Sequence, residues 1–184
     1  MITLFIAFSA FSQKLERSWA KRVIVKTNLM NLLAHSPTLT IEKPFSQQFS
    51  AEVSFVQGKV NDIFFYDHYN YSGFLVRAKQ YFEKLDYAKL CPYMALYLGN
   101  LKRNIQSVGS TGNYGLFGYP SHDFSANSIR AGGSAGLTFV GKKKFVIDGL
   151  ISLGYGKYTK YYKPEKAAKG YLDGQFWLSV GYCF

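Results

Sequence analysis

Tyr171-Leu172-Asp173-Gly174-Gln175-Phe176-Trp177-Leu178-Ser179-Val180-Gly181-Tyr182-Cys183-Phe184 alternates along its length. Leu172, Phe176, Leu178, Val180, Tyr182 and Phe184 share one face of a strand, because successive strand side chains point to opposite sides. Asp173, Gln175, Ser179 and Gly181 share the other, with Trp177 and Cys183 among them. Crossing a bilayer takes about 9–11 tilted strand residues, and this stretch is long enough. A soluble edge strand of this kind would expose a sticky, aromatic edge. The last strand of a membrane barrel avoids that, because the first strand pairs with it. The stretch reads as a closing strand.

The rest of the chain agrees with that reading. Its 184 residues suffice for one closed eight-stranded sheet. Fifteen Tyr, 16 Phe and 17 Gly against 2 Trp favour strands and tight turns over helices. A mean hydropathy of −0.07 argues against apolar helical spans but not against strands that are half polar. Cys91 and Cys183 are too few for a disulfide framework, and the strand order keeps them apart. A net charge of +11 would suggest nucleic acid in a soluble protein. Here the basic residues cluster at strand ends and loops, where membrane phosphates are the natural partner, and no nucleic-acid partner is expected.

Residues 1–12 form an uncharged apolar run with small residues Ser9, Ala10 and Ser12, the pattern of a signal peptide whose basic start lies upstream. Residues 13–21 read as a short periplasmic segment, and 22–184 as the barrel. Strands are expected at about 22–33, 38–45, 49–57, 72–82, 90–103, 128–140, 144–157 and 171–184. Short turns at 46–48, 83–89 and 141–143 fall at one end. The long loops 58–71, 104–127 and 158–170 fall at the other, with the short link 34–37. Outer-membrane barrels have short periplasmic turns and longer extracellular loops.

Strand parity then assigns the charges. Lys26, Glu42, Glu52, Arg77, Lys79, Arg130, Asp148 and Asp173 all fall on one face. Val25, Ile41, Val53, Val76, Ile129, Ile147 and Ile151 fall on the opposite one. An eight-stranded barrel is filled by its own side chains, so the charged face predicts a packed, paired ionic lumen. Strand five leaves its facing open, because Asn100 and Lys102 inward would take Met94, Leu96 and Leu98 inward too.

The terminal Phe184, preceded by Phe176, Leu178, Val180 and Tyr182, resembles the C-terminal signal of bacterial outer-membrane barrels. That resemblance implies recognition by the outer-membrane assembly machinery and a place in the outer membrane of a Gram-negative bacterium. The segments Val25-Lys26-Thr27-Asn28-Leu29 through Ile41-Glu42-Lys43-Pro44-Phe45, and Phe145-Val146-Ile147-Asp148-Gly149 through Gly154-Tyr155-Gly156, resemble a family of small barrels of unassigned function. The architecture implied is the OmpA and OmpX type, an all-β, antiparallel, up-and-down transmembrane barrel. These motifs specify architecture and carry hardly any chemistry.

No catalytic, cofactor or metal site is expected. His122-Asp123 with Ser125 sits in the longest loop, where sequence neighbours do not converge as a triad requires. His68 with Asp62 and Asp67 lacks ligand spacing. The aromatic run Phe64, Phe65, Tyr66, Tyr69 and Tyr71 reads as a loop at the interface belt, or as a surface that stacks on a glycan or grips a protein. Lys157, Lys160, Lys163, Lys166 and Lys169 recur every three residues with Tyr158, Tyr161 and Tyr162 between, which suits lipopolysaccharide phosphates at the outer headgroup level. The leading expectation is a non-enzymatic barrel with a structural, adhesion or docking role. An outer-membrane lipid acyl hydrolase or acyltransferase would need outward catalytic groups near the extracellular rim. A soluble lipocalin-like carrier would need the reverse polarity.

Overall fold

The computed structural model of the chain describes residues 19–33, 37–63, 66–106, 124–163 and 169–184. Its strands are β1 (Ile24–Asn28), β2 (Thr38–Pro44), β3 (Phe49–Ile63), β4 (Tyr66–Tyr81), β5 (Leu90–Gln106), β6 (Phe124–Val140), β7 (Phe145–Lys163) and β8 (Gly170–Cys183). Each pairs antiparallel with its sequence neighbour, and β1 pairs with β8 from Ile24 opposite Cys183 to Asn28 opposite Ser179. The sheet therefore closes without an edge. The chain is an eight-stranded, up-and-down transmembrane β-barrel.

Several boundaries differ from the sequence reading. The first strand stops at Asn28 instead of running to residue 33, and a short helix α1 (Leu29–Leu33) follows. Asn28 Oδ1 accepts the Met30 amide at 3.0 Å, which is how an asparagine caps a helix start. The segment 58–71 is not a loop. Gly58 pairs with Tyr71, and the ladder continues to Ile63 opposite Tyr66. Tyrosine and valine favour a pleated surface, so the length assigned to a loop has gone into β3 and β4. Tyr66, Tyr69 and Tyr71 therefore stand on β4, while Phe64 and Phe65 lie outside the described residues. The other two long loops shrink to 107–123 and 164–169 for the same reason. The connection between β3 and β4 is therefore the short 64–65, whereas the longest connection, 107–123, falls at the expected end.

The polarity of the wall is inverted relative to a soluble barrel. Leu96 is 74% exposed and Ile151 and Leu153 are each 63% exposed, whereas Arg77 is 0% and Lys79 1% exposed. A lipocalin-like carrier needs the opposite arrangement. Among the described residues no helix is long and apolar enough to cross a membrane. Strand five faces Cys91, Tyr93, Ala95, Tyr97 and Leu101 inward, with Met94, Leu96, Leu98 and Lys102 outward. The neighbouring β6 makes room for the two inward tyrosines. A Cβ on Gly132 would run into the Tyr97 ring, and one on Gly136 into the Tyr93 ring.

The end carrying the turns 45–48, 82–89 and 141–144 is covered by an apolar lid. Leu85 donates its amide to Gln47 O at 2.8 Å, and Ala88 donates to Val140 O at 2.7 Å, so the turn 82–89 bonds to the turn before β3 and to the end of β6. A short 3-10 turn, Trp19–Lys21, adds the buried Trp19, whose ring lies 5.1 Å from Tyr87. Beneath them Ile24, Val140, Val146 and Cys183 continue the same buried cluster.

Candidate functional site: a charge cage in the barrel lumen

Above this lid, neighbouring strands bring charged side chains together by register. Glu42 on β2 lies directly opposite Glu52 on β3, and Glu52 lies directly opposite Arg77 on β4. Like charges opposite each other destabilise a sheet. Two ammonium groups resolve the conflict. Lys26 Nζ lies 2.6 Å from Glu42 Oε2, 2.7 Å from Glu52 Oε2 and 2.6 Å from Asp148 Oδ2. Lys79 Nζ meets the same three oxygens at 3.0, 2.8 and 2.8 Å. Three carboxylates thus sit as a ring between two lysines.

The outer oxygens are satisfied separately. Glu42 Oε1 accepts from Tyr81 at 2.7 Å and from Ser50 at 2.6 Å. Asp148 Oδ1 accepts from Tyr93 at 2.7 Å, and Glu52 Oε1 from Arg77 Nη1 at 2.8 Å. Lys26, Arg77 and Lys79 against Glu42, Glu52 and Asp148 give a neutral cluster. Its ion-paired side chains are no more than 2% exposed. Removing ions from water is costly, and only complete pairing and hydrogen bonding offsets it.

A second tier lies nearer the loops. Arg130 Nη1 is 3.5 Å from Asp173 Oδ1, and Asp173 Oδ2 accepts from Tyr97 at 2.9 Å and Gln175 at 2.7 Å. Arg77 joins the tiers, donating to Gln175 Oε1 at 3.1 Å while its guanidinium lies 4.3 Å from the Trp177 ring. Every residue of the inward charge set is buried. The sequence reading missed Tyr81, Tyr93, Tyr97 and Trp177 as partners. Tyr81 was available by parity, two residues past Lys79. The β5 tyrosines were hidden by the open facing of that strand.

Glu42, Glu52 and Asp148 also have the spacing of a metal site, with ligand oxygens within 4.8 Å of one another. The donor set does not fit a cation, because the two ammonium groups already bridge those oxygens from both sides. The ring is a closed salt cluster with no position for substrate between its members.

The remaining named residues lie elsewhere. Phe176, Tyr182 and Phe184 are exposed on the outward face of β8, with Leu178 and Val180 half-buried beside them. Lys157 and Lys160 stand exposed on β7, not in a loop, and Lys163 is the last residue of that strand. Lys169 is exposed beside β8, and Lys166 lies outside the described residues. His122 and Asp123 also lie outside them.

The family described as Protein of unknown function (DUF3575) matches residues 1–178. The chain belongs to this family. A search of curated proteins finds no match to the DUF3575 chain. Among solved structures it is similar to Neisserial surface protein A, with a TM-score of 0.50 at 13% identity over 89% of this chain and 94% of that one. The N-terminal β-barrel domain of Pseudomonas aeruginosa OprF gives 0.45 at 16% identity, covering 89% and 96%. The attachment invasion locus protein Ail of Yersinia pestis gives 0.44 at 19% identity, covering 89% and 95%. At these identities the likeness to Neisserial surface protein A concerns the fold alone. For this DUF3575 member the shared feature is the closed β-barrel fold.

Proposed function

We propose that the protein is a non-enzymatic, integral outer-membrane barrel whose charge cage is structural and whose loop end docks a partner at the cell surface. One observation carries this reading: the wall is apolar outside while the lumen is filled by a neutral salt cluster in which every carboxylate meets a cation. A filled lumen supports a scaffold, since neither substrate nor ions have a continuous wet path through it. The outward row Phe176, Leu178, Val180, Tyr182 and Phe184 is the surface offered to the assembly machinery. The outer lysines Lys157, Lys160, Lys163, Lys166 and Lys169 are offered to lipopolysaccharide phosphates. Tyr71 packs against the buried core, so of the aromatic positions Tyr66 and Tyr69, nearer the loop end of β4, are the ones offered to a protein or glycan.

Fractionation and planar-bilayer recording test the proposal together. The protein is expected in the outer-membrane fraction after alkaline carbonate extraction, with heat-dependent gel mobility and no stepwise conductance once inserted. Recovery as a detergent-free soluble barrel would overturn the location, and steady single-channel conductance would overturn the filled lumen.

A further inference from the structure

The strand β7 leaves regular pairing just where it emerges from the apolar band. Ile129 pairs with Lys157 and Ser128 with Tyr158, but Asn127 pairs with Lys160 and Ala126 with Tyr161, so Thr159 and then Tyr162 are extra residues. Bulges re-aim side chains and are frequent beside functional sites. Plain alternation from the outward Tyr155 and Lys157 would send Lys160 inward. The bulge at Thr159 instead turns Lys160 outward while Tyr158 stays buried.

The cross-strand row completes the arrangement. Lys102 on β5 pairs with Asn127 on β6, which pairs with Lys160 on β7. Asn127 Nδ2 donates to the Tyr162 hydroxyl at 3.3 Å. Lys102 Nζ lies 5.6 Å and Lys160 Nζ 5.2 Å from the centre of the Tyr162 ring. One tyrosine thus gathers two ammonium groups, and Lys157 adds a third on the same outward side. Among the described residues none of these lysines has an ion pair, and the exposed acidic residues Glu83 and Asp86 are in the turn at the opposite end. Directly below lie Leu98, Ile129, Leu153 and Tyr155, all exposed to the bilayer. Cations set above an apolar wall fit a ligand with a phosphate head and acyl chains.

We propose that Lys102, Lys157 and Lys160, grouped around Tyr162 by the bulges of β7, bind a phosphate group of the outer-leaflet glycolipid. The site rests on the outer-membrane reading given above and moves its centre from the loop lysines to the barrel wall, adding Lys102 from β5. Each lysine near an anionic surface contributes a few-fold in affinity, so losing two lowers binding roughly thirtyfold at low salt.

The test is native mass spectrometry of the full-length barrel in mild detergent with bis-phosphorylated lipid A, and with the same lipid stripped of phosphate. Wild type is expected to retain the phosphorylated lipid preferentially. The K102Q/K160Q variant is expected to lose that preference, and K142Q/K143Q, with the same charge change at the opposite end, to keep it. Equal retention of both lipids by wild type overturns the site without need of any variant. So does an equal loss in the two variants, or full displacement by millimolar inorganic phosphate, which would mark a free-phosphate site. Absence of heat-dependent mobility in wild type would instead sink the outer-membrane reading itself.

Discussion

Replacing Lys79 with Met is expected to lower the unfolding free energy of the barrel by about 3–5 kcal/mol. Lys79 Nζ contacts Glu42, Glu52 and Asp148 within 3.0 Å, and its loss leaves three buried carboxylates against only Lys26 and Arg77. The methionine fills similar volume, so the loss reports uncompensated charge and not a cavity. Adding Asp148→Asn restores neutrality. The double variant is therefore expected to lose less than the sum of the two single changes, with a coupling of about 0.5–3 kcal/mol. Denaturant titration after refolding into lipid vesicles measures both. A loss below about 1 kcal/mol for Lys79→Met would mean that water, not carboxylate, surrounds the ammonium.

The second large effect is on the outer wall. Leu96→Arg is expected to cost about 2–4 kcal/mol in a bilayer, the range for arginine at the midplane on a lipid-facing strand position. Leu96 is 74% exposed and lies within the apolar run from Leu90 to Leu98, with Met94 and Leu98 on either side of it on the outward face. On a soluble barrel the same change would be nearly neutral, because exposed surface substitutions away from special features stay within about 0.5 kcal/mol. The same vesicle titration distinguishes the two.

Much of the fold was legible because strand parity is a local property. The alternation in 171–184 gave β8 its facing, and parity alone placed Glu42, Glu52, Arg77 and Lys79 on one side before any partner was known. What parity could not supply was register. That Glu42 and Glu52 face each other, and that Lys26 and Asp148 complete their ring from β1 and β7, depends on closing the sheet. Strand five resisted because its upper outward positions, Asn100 and Lys102, are polar. They are polar because they have left the hydrocarbon, not because they face the lumen. The same error of level turned the ends of β3, β4 and β7 into loops, since tyrosine and lysine look like loop composition where a strand rises through headgroups. The bulges at Thr159 and Tyr162 have no sequence marker at all, with neither glycine nor proline at the extra residues.

The most direct measurement is nitroxide accessibility along β5 in lipid nanodiscs, with Cys91 and Cys183 replaced by Ala and single labels at 94, 95, 96, 97 and 98. An apolar wall around a packed polar lumen predicts alternation: labels at 94, 96 and 98 meet molecular oxygen but not a water-soluble nickel chelate, while those at 95 and 97 meet neither. Free collision of the nickel chelate with positions 94, 96 and 98 would contradict the barrel's place in the membrane, and its access to 95 and 97 would contradict the filled lumen.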